Sequence, residues 1–423
     1  MTQQLVCRFC SHELEHTFVD LGMSPLANSY RRPEDEGESE RFFPLHTYVC
    51  SRCFLVQLPE WESPEAIFRD YAYFSSFSDS WLRHAENYTE AMITRFGFDD
   101  SSLVVEAASN DGYLLQYFKK RGVPVLGIEP ARNVAEEARK LGIDTLTEFF
   151  GVELAEKLVA EGRRADLLLG NNVLAHTPYL NDFVAGLKIL LADSGVITLE
   201  FPHLVRLMES NQFDTIYHEH FSYFSFTTVK KVLEHHGLKV FDVEELSTHG
   251  GSLRIFAAHE SDDSKEIGPN VDDLLSREDA AGLNELGAYQ DFAERVRATK
   301  RKLLSFLIAA KEEGKTLVGY GAPAKGNTLL NYCGVRTDFL DYTVDRSPHK
   351  QGCSLPGVHI PIFDPQKIRE TRPDYVLILP WNLKEEIMGQ MADVAEWGGR
   401  FVVAIPEVTV LDAESAEKGG ENR

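Results

Sequence analysis

The chain has 423 residues, of which 43% are hydrophobic, and a formal net charge of -23 at pH 7. This length exceeds what one hydrophobic core usually supports and predicts two or three domains. The acidic balance argues against a nucleic-acid partner, because phosphate contacts need a basic face. The first twenty residues lack an apolar signal region, and no run of about 18 apolar residues follows, so we expect a cytoplasmic protein that is not inserted in a membrane.

Four of the six cysteines form two CxxC pairs, Cys7 with Cys10 and Cys50 with Cys53. Four thiolates from two such turns can close the tetrahedral site in which proteins hold structural zinc. The segment between the pairs is longer than in compact zinc sites, but loop closure costs only about 0.6 kcal/mol per doubling of loop length. Redox-active cysteines are the alternative, and they would need a thioredoxin-like context that the sequence lacks. We therefore predict a zinc-binding domain over residues 1–70.

A regular alternation of helices and strands follows this segment. Helices are predicted over residues 79–96 and 131–141, and buried strands over residues 103–106, 125–129, 144–147, 165–172 and 195–200. Strands that alternate with helices predict an α/β fold with a doubly wound parallel sheet. Two further strands, over residues 239–246 and 253–258, are expected to form a hairpin. A hairpin that ends such a sheet is typical of a methyltransferase.

The loops that follow the strands supply candidate ligand contacts. The first turn carries Asn110, Asp111 and Gly112 instead of GxGxxG, so a pyrophosphate-cradling loop is not favoured. Glu129 closes the second strand, where an acidic side chain accepts hydrogen bonds from ribose hydroxyls. Polar residues also end the fourth strand, at Asn171 and Asn172, and the fifth, at Glu200, which is the edge where open α/β sheets bind their ligands. A solvated strand end is the alternative interpretation of Glu129.

Residues 214–223, DTIYHEHFSY, place two histidines, a carboxylate and two phenols among apolar neighbours. We interpret this stretch as the chemical centre of the protein. A metal site is one alternative, since His218 and His220 would share a face of a strand, but no third ligand is evident nearby. A structural aromatic segment whose polar tips find partners is the other.

The last third of the chain predicts a second ligand-binding unit. A charged, amphipathic stretch over residues 266–313 predicts a helical connector. A strand then runs into the glycine-rich turn GYGAPAKGN at residues 319–327, which opens a helix. Backbone N–H groups at such a helix start, with Lys325 beside them, could hold a phosphate, and a purely structural turn is the alternative. Further strands predict a smaller α/β domain over residues 314–412.

The order of these pieces resembles the S-adenosylmethionine-dependent C-methyltransferases that act on nucleotide-linked keto-deoxysugars. The likeness covers nearly the whole chain and rests on the two CxxC pairs, YAYFSS at 71–76, VEAASNDG at 105–112, NNVLAH at 171–176, YHEHF at 217–221, HGG at 249–251 and GYGAxAK at 319–325. The resemblance implies a zinc-binding amino-terminal domain, a class I methyltransferase domain over residues 71–265 and a Rossmann-like carboxy-terminal domain.

The same resemblance implies which residues bind the two organic ligands. Residues expected around S-adenosylmethionine are Glu106, Ser109, Asn110, Asp111 and Gly112 at its methionine end, Glu129 at the ribose, Phe149 at the adenine and Asn171 at the methionine moiety. Residues expected to contact the sugar nucleotide are Tyr223, His249, Lys325, Asn327 and Asn382.

The catalytic residues implied by the resemblance are His220 as general base, with Glu219, Tyr217, His176 and Tyr73 around it. Methylation of carbon needs a carbanion equivalent, and a neighbouring ketone makes the C–H acidic enough for a neutral histidine to remove its proton. The resulting enolate attacks the sulfonium methyl. A phenol or imidazole that donates to the developing enolate oxygen would stabilise it electrostatically.

The sequence therefore predicts an enzyme that transfers a methyl group to a ring carbon next to the ketone of a nucleotide-linked 4-keto-deoxysugar. We expect carbon C3 and a dTDP-linked sugar, with structural zinc, no nucleic-acid or membrane partner, and a monomer or weak dimer. Methylation of oxygen or nitrogen on a sugar nucleotide is one alternative. A sugar-nucleotide-binding protein without catalysis is the other.

Overall fold

The computed structural model describes residues 5–35, 37–68 and 74–412. In chain order the strands of this part are β1 (His16–Ser24), β2 (Phe43–Val49), β3 (Val56–Gln57), β4 (Val104–Ala107), β5 (Val125–Ile128), β6 (Thr145–Leu146), β7 (Ala165–Asn171), β8 (Leu191–Pro202), β9 (Ser222–Tyr223), β10 (Leu238–Leu246), β11 (Ser252–His259), β12 (Leu317–Tyr320), β13 (Thr343–Val344), β14 (Ile362–Phe363), β15 (Tyr375–Ile378), β16 (Arg400–Val403) and β17 (Thr409–Asp412).

The helices of the same residues are α1 (Pro64–Phe68), α2 (Asp79–Phe96), α3 (Leu115–Lys120), α4 (Arg132–Lys140), α5 (Val152–Ala160), α6 (Leu180–Leu190), α7 (Leu204–Glu209), α8 (Phe226–His235), α9 (Pro269–Ala280), α10 (Gly287–Gln290), α11 (Phe292–Glu312), α12 (Ala324–Cys333), α13 (Gln366–Thr371) and α14 (Lys384–Gln390). None of the helices in the described ranges has the length and apolarity that a membrane crossing requires.

The chain forms two compact units, neither of which is continuous in sequence. Unit 1 contains the described parts of residues 1–16, 48–205 and 219–289, and unit 2 those of residues 17–47, 206–218 and 290–423. The division into zinc-binding, methyltransferase, connector and carboxy-terminal domains at residues 70, 265 and 313 stays a prediction, because compact units need not follow domain boundaries.

Unit 1 is built on a seven-stranded sheet in the order β10-β11-β8-β7-β4-β5-β6. The five strands from β8 to β6 are parallel, and β11 and β10 continue the sheet as an antiparallel hairpin. This confirms the predicted doubly wound sheet with its terminal hairpin. Chain order reverses between β4 and β7, so their carboxyl ends form the switch point where such sheets bind ligands.

The apolar pattern of the central strands explains this architecture. β4 reads VVEA and is buried along its whole length, as expected for a parallel strand covered by helices on both faces. Val104 packs in one apolar cluster with Leu167, and Val105 packs in another with Leu168. Neighbouring residues of a strand point to opposite faces, so these two clusters are the cores on either side of the sheet. Glu106 is the polar exception inside β4.

Short strands at the start of unit 1 hold the segment that follows His220. β3 pairs antiparallel with Tyr48 and Val49 at the end of β2 and, on its other side, with β9. Tyr223 in β9 is therefore fixed opposite Val56, three residues after His220.

Unit 2 contains a six-stranded sheet in the order β14-β13-β12-β15-β16-β17. All pairings are parallel except that of β17 with β16. The predicted second α/β unit is present, although β14, β16 and β17 had not been predicted. Its switch point lies between β12 and β15, where chain order reverses.

Candidate active site

A cavity of about 410 Å³ lies at the carboxyl ends of β4, β5 and β7 in unit 1. Its wall includes residues at or just after the ends of these strands: Ala108, Asn110, Glu129, Asn171 and Asn172. Small-molecule and cofactor sites occupy about 300–1,000 Å³ and favour the switch points of α/β sheets. The cavity therefore has both the size and the position of a cofactor site.

Three wall residues other than glycine adopt left-handed backbone conformations. The φ angles are 58° at Ala108, 49° at Asn110 and 58° at Asn172. Each such residue costs on the order of 1 kcal/mol or more, and strain of this kind concentrates at functional sites. The turns after β4 and β7 are thus shaped for ligand contact at some expense in stability.

Glu129 presents a buried carboxylate to the cavity, with 5% of the residue exposed. Its Oε1 accepts a hydrogen bond of 2.8 Å from the Ala131 N–H, and its Oε2 accepts one of 3.0 Å from the Asn110 N–H. Burial raises the pKa of Glu129 to about 7. Each oxygen retains a further lone pair, so the group can accept hydrogen bonds from a diol.

Two more carboxylates lie beneath the same turn. Glu106 is fully buried in β4, and burial raises its pKa well above the usual value, with the neighbouring charge of Asp111 adding to the effect. Burial likewise raises the pKa of Asp111. Three acidic groups with raised pKa values around one turn favour a ligand that carries positive charge.

Asp111 and Asn110 hold the segment that precedes α2. Asp111 Oδ2 accepts a hydrogen bond of 3.1 Å from the Ser76 N–H, and Asn110 Oδ1 accepts one of 3.0 Å from the Ser75 N–H. Ser75 lines the cavity, whereas Asp111 does not. The side chain of Asp111 therefore helps to position Ser75 in the wall of the cavity through its hydrogen bond to the neighbouring Ser76.

Gly112 and Ser109 shape the turn from outside the cavity. Gly112 has a φ of 78°, and a Cβ atom there would lie 2.5 Å from Ile143 Cδ1. Ser109 is fully buried, and its Oγ would lie 2.5 Å from a Cβ atom added to Gly127. Of the predicted cofactor residues, Asn110, Glu129, Phe149 and Asn171 line the cavity, and Glu106, Ser109, Asp111 and Gly112 do not.

Aromatic rings form much of the remaining wall. Phe149 is 45% exposed beside Phe150, at a place where a flat apolar ligand can stack. Trp81 and Tyr113 stack with ring centroids 5.9 Å apart and an interplanar angle of 23°. Asn171 Nδ2 donates a hydrogen bond of 3.3 Å to the Tyr113 hydroxyl, which ties this pair to the end of β7.

His176 and His220 form an imidazole pair at the end of β7. Their ring centroids are 4.7 Å apart, with planes at 86°. His176 lies in the 3-10 turn Leu174–His176 and lines the cavity, and His220 is 8% exposed. The Phe221 N–H donates a hydrogen bond of 2.7 Å to the Ala175 carbonyl, which fixes the two segments together.

Burial keeps His176 neutral. It lowers the pKa of His176 to about 4, and Nδ1 has no hydrogen-bond partner among the described residues. An orphaned, buried ring nitrogen beside a cavity is available to a ligand. At neutral pH the pair therefore offers an uncharged imidazole to whatever the cavity holds.

Three further residues are predicted to be catalytic. Glu219 is 3% exposed and precedes His220 in the chain. Tyr223, predicted to bind the substrate, has its ring centroid 6.1 Å from that of His220. Tyr217 is half-buried and belongs to unit 2, and Tyr73 lies outside the described residues. The roles of these side chains stay predictions.

The four cysteines of the CxxC pairs converge in unit 1. Their sulfur atoms all lie within 4.8 Å of one another, with Cys7 to Cys53 and Cys10 to Cys50 each at 3.5 Å. Zinc–sulfur bonds of about 2.3 Å in a regular tetrahedron place the sulfurs about 3.8 Å apart. Within the described ranges, these cysteines are the only histidine, cysteine or carboxylate group that could hold a metal, so the alternative metal site at His218 and His220 receives no support.

In unit 2, Lys325 and Asn382 meet at the switch point between β12 and β15. Lys325 Nζ donates a hydrogen bond of 2.8 Å to Asn382 Oδ1 and lies 4.5 Å from the centre of the Trp381 ring. Trp381 Nε1 donates a hydrogen bond of 2.7 Å to Asp214 Oδ2. Burial raises the pKa of Asp214 to about 6, although the Lys325 charge opposes the rise.

The glycine-rich turn of unit 2 is less open to an anion than its sequence suggests. Asp345 Oδ2 accepts a hydrogen bond of 2.8 Å from the Ala322 N–H, so one amide of the turn already has an internal partner. Asn327 is 1% exposed, and its Nδ2 donates a hydrogen bond of 2.6 Å to the Ala27 carbonyl. Lys325 and Asn382 are therefore better placed to meet a ligand than Asn327.

Comparison with protein families divides the chain into three matched segments. Residues 7–68 match the family described as "Putative zinc binding domain", residues 81–243 match "Methyltransferase domain", and residues 247–406 match "C-methyltransferase C-terminal domain". C-methyltransferase NovU from Streptomyces niveus is 40% identical over 412 residues, which is 97% of each chain. The chain belongs to this C-methyltransferase family.

Two solved structures show a weak similarity to part of the C-methyltransferase chain. Magnesium protoporphyrin IX methyltransferase (ChlM) from Synechocystis PCC 6803, with bound SAM, is 16% identical, and the match covers 48% of this chain and all of ChlM at a TM-score of 0.35. PH0226 from Pyrococcus horikoshii OT3 is 14% identical, and the match covers 47% of this chain and 99% of PH0226 at a TM-score of 0.37. Neither likeness bears on function.

The C-methyltransferase uses S-adenosylmethionine and binds zinc, and its residues fit both. The sulfonium and ammonium groups of the cofactor suit the acidic turn of Glu106, Asp111 and Glu129. The buried Asn172 Oδ1, which has no partner among the described residues, is an acceptor that an ammonium can use. The four sulfur atoms lie close enough together for one zinc ion to bind all of them.

Several residues of the site had not been assigned a role from the sequence. Trp81, Tyr113 and Asn172 line the cavity, and His84 and Glu200 lie behind it. Asn172 and Glu200 had been recognised as polar strand ends at the ligand-binding edge, but without a specific contact. Trp81 had a weaker signal, because an aromatic residue in the first turn of a helix is more often part of the core.

Proposed function

We propose that this C-methyltransferase methylates the ring carbon next to the ketone of a nucleotide-linked 4-keto-deoxysugar, at C3 of a dTDP-linked sugar. The observation that carries the proposal is the imidazole pair of His176 and His220 beside the cavity. A carbon nucleophile must be generated by proton removal, and a buried neutral imidazole is the side chain best matched to that task near pH 7.

In this proposal His220 is the general base. One of its ring nitrogens takes the proton from the carbon next to the ketone, and the electron pair of that C–H bond moves into the enolate. When bound, S-adenosylmethionine supplies an electrophilic methyl group on a positively charged sulfur. The protein's part is to exclude water, hold the enolate carbon in line and keep the transferred proton on His220.

His176 supplies the complementary electrostatic function. A second imidazolium within 4.7 Å of a protonated His220 would be repelled, so His176 stays neutral throughout. A neutral imidazole can still donate one N–H hydrogen bond to the developing enolate oxygen. Two adjacent imidazoles, one a base and the other a donor, thus separate the two roles that enolisation needs.

The choice of a sugar nucleotide rests on the resemblance of the sequence motifs and on charge. A diphosphate ligand meets a chain of net charge -23 and needs a local cation. Lys325, with Asn382 as its hydrogen-bond partner, provides such a cation at the switch point of unit 2. Of the residues predicted to contact the substrate in unit 2, this pair supports the proposal most directly.

The proposal is tested by identifying the product. The full chain is incubated with S-adenosylmethionine labelled with carbon-13 in the methyl group and with dTDP-4-keto-6-deoxyglucose, alongside a reaction without the sugar. We expect a new methyl signal whose one-bond coupling and long-range correlations place it on C3. A methyl group attached to oxygen, or transfer only to an acceptor that is not a sugar nucleotide, would overturn the proposal.

A further inference from the structure

Glu200 is a fully buried carboxylate at the end of β8 that has no role in the mechanism above. Its Oε1 accepts a hydrogen bond of 2.9 Å from the Thr248 hydroxyl. Its Oε2 lies 2.9 Å from His84 Nε2 and 3.0 Å from an Arg254 guanidinium nitrogen. A fully buried carboxylate needs such partners, and these three come from α2, the β10–β11 turn and β11.

The β10–β11 turn that Glu200 anchors is strained. The φ angles are 55° at His249, 92° at Gly250 and 118° at Gly251. A left-handed histidine costs on the order of 1 kcal/mol or more, so other contacts must hold it. The Thr248 hydroxyl on Glu200 is one of these contacts, because Thr248 directly precedes His249 in the chain.

His249 in turn orients a side chain of the cofactor cavity. The Asn172 Nδ2 donates to His249 Nε2 at 3.2 Å, since an amide nitrogen can only donate. This arrangement leaves Asn172 Oδ1 buried and without a partner among the described residues, on a residue that lines the cavity. An oriented, unsatisfied acceptor in an acidic cavity matches an ammonium group, and α-amino acids such as the methionine end of the cofactor carry one.

A second chain of contacts reaches the cavity through α2. His84 stacks beneath Trp81 with ring centroids 4.9 Å apart and an interplanar angle of 18°, and Trp81 lines the cavity. His249 packs against the same Trp81 ring at 4.9 Å. Burial alone would raise the pKa of Glu200, but His84 and Arg254 hold that pKa below its usual value. The Glu200 carboxylate is therefore ionised when it contacts Thr248 and His84.

We propose that Glu200 is a positioning residue that holds Thr248 and His249 so that Asn172 presents its side-chain oxygen to the amino group of the cofactor. The link runs from Glu200 through the Thr248 hydroxyl and the His249 ring to the Asn172 amide. It concerns cofactor binding, so it stands whether or not the methyl acceptor is a sugar nucleotide.

The sharpest test removes only the link between Glu200 and the turn. Thr248→Val deletes the hydroxyl and keeps the branched shape, and Thr248→Ser restores the hydroxyl. Affinity of the full chain for S-adenosylhomocysteine is measured by titration calorimetry at 25 °C, with hydrogen exchange of residues 247–252. We expect about three- to tenfold weaker binding and faster exchange in Thr248→Val, and recovery of both in Thr248→Ser.

Glu200→Gln and Glu244→Gln form the matched pair. Glu244 accepts a hydrogen bond of 3.0 Å from the other guanidinium nitrogen of Arg254 but is partly exposed and lies away from the cavity. We expect Glu200→Gln to weaken S-adenosylhomocysteine binding about tenfold or more, and Glu244→Gln to change it less than about twofold. If Glu200→Gln does not fold, the affinity of Thr248→Val for S-adenosylhomocysteine still tests the proposal. Unchanged affinity in Thr248→Val, or equal losses in both glutamine variants, would overturn the proposal.

Discussion

Glu129 shows how one side chain can couple cofactor binding to pH. Its carboxylate is buried and accepts two backbone hydrogen bonds, yet its pKa is raised to about 7. A ribose diol can donate to both oxygens of the ionised form but not to both oxygens of the protonated form, so binding shifts the equilibrium toward ionisation. The protein must then release a proton from Glu129 when it binds the cofactor at or below that pH.

We therefore predict that affinity for S-adenosylhomocysteine falls as pH falls through about 7, because the protonated carboxyl group of Glu129 cannot accept from both ribose hydroxyls. The loss should approach about tenfold per pH unit well below this pKa. In Glu129→Gln the affinity should be lower and nearly independent of pH between 6 and 8. Calorimetric titrations across this range make the comparison, and a flat profile in the unaltered protein would contradict it.

For single residues, the sequence predicted their positions in the sheet better than their hydrogen-bond partners. Asn110, Glu129 and Asn171 were correctly expected at the carboxyl ends of strands, because position in a parallel sheet determines where such residues lie. One oxygen of Asp111 accepts a hydrogen bond from the Ser76 N–H, and the expected contact of Asp111 with the cofactor stays a prediction. No pattern in the sequence predicts a hydrogen bond across 35 residues, since it depends on how α2 packs on the sheet.

The turn after β4 illustrates how an element constrains its residues. Gly112 combines a φ of 78° with a position where a Cβ atom would lie 2.5 Å from Ile143 Cδ1 and 3.3 Å from Ala138 Cβ. Gly122 has a similar φ of 80°, but a Cβ atom there would have no neighbour within 4 Å. A side chain added at either glycine would strain the backbone to a similar degree. Only at Gly112 would it also clash with neighbouring atoms.

This difference gives a matched prediction at the element scale. Gly122→Ala should lower the free energy of unfolding by about 1 kcal/mol, the cost of a left-handed alanine. Gly112→Ala should lower it by about 2–4 kcal/mol and weaken S-adenosylhomocysteine binding, because the turn must also move away from α4. Chemical denaturation and titration calorimetry measure the two quantities. Equal destabilisation by both variants would rule out the steric role of Gly112.

The cysteine cluster predicts a metal-dependent element. We expect about one zinc ion per chain by elemental analysis, and loss of that zinc in Cys10→Ser, with unfolding destabilised by several kcal/mol, because zinc binding contributes directly to folding. Cys353→Ser is the control, since Cys353 is also half-buried but lies outside the cluster. Zinc retained in Cys10→Ser, or equal loss of stability in Cys353→Ser, would contradict a structural zinc site.

Elements with strong local signals were predicted well. Helix α2 has the predicted bounds, and β10 and β11 form the predicted hairpin, because apolar periodicity and turn residues determine such elements locally. β14, β16 and β17 were missed because they gain their stability from pairing, β14 with β13, β16 with β15, and β17 with β16. Pairing of that kind is decided by contacts distant in sequence.

At the scale of the whole molecule, the net charge of -23 acts on the two ligands in opposite directions. S-adenosylmethionine carries a net positive charge, whereas a nucleotide diphosphate sugar is an anion. Long-range attraction therefore favours the cofactor and long-range repulsion opposes the acceptor. Salt screens both, with a Debye length of about 10 Å at 0.1 M.

We predict that raising sodium chloride from 20 to 200 mM weakens S-adenosylmethionine binding about two- to fivefold and leaves kcat/KM for the sugar nucleotide equal or higher. Lys325→Met should then raise KM for the sugar nucleotide about tenfold while changing cofactor affinity little. Steady-state kinetics at both salt concentrations test this. A steep fall of kcat/KM with salt would show that local cations outweigh the global charge.

The division into a methyltransferase sheet and a second Rossmann-like sheet followed from the sequence because strand and helix alternate in both. The composition of the compact units did not follow from it. Residues 17–47 belong to unit 2, although the cysteines on either side of them belong to unit 1. Such an exchange of segments depends on tertiary packing, which local patterns do not encode.

The central claim is that His220 removes a proton from the carbon next to the ketone before the methyl group is transferred. The most direct test follows exchange of that proton for solvent deuterium by NMR, with the full chain, the keto sugar nucleotide and S-adenosylhomocysteine in place of the methyl donor. His16→Asn, at an exposed histidine in β1, is the control. We expect exchange in the unaltered protein and in His16→Asn, and a rate at least about a hundredfold lower in His220→Asn with S-adenosylhomocysteine still bound. Exchange at an unchanged rate in His220→Asn would contradict the central claim.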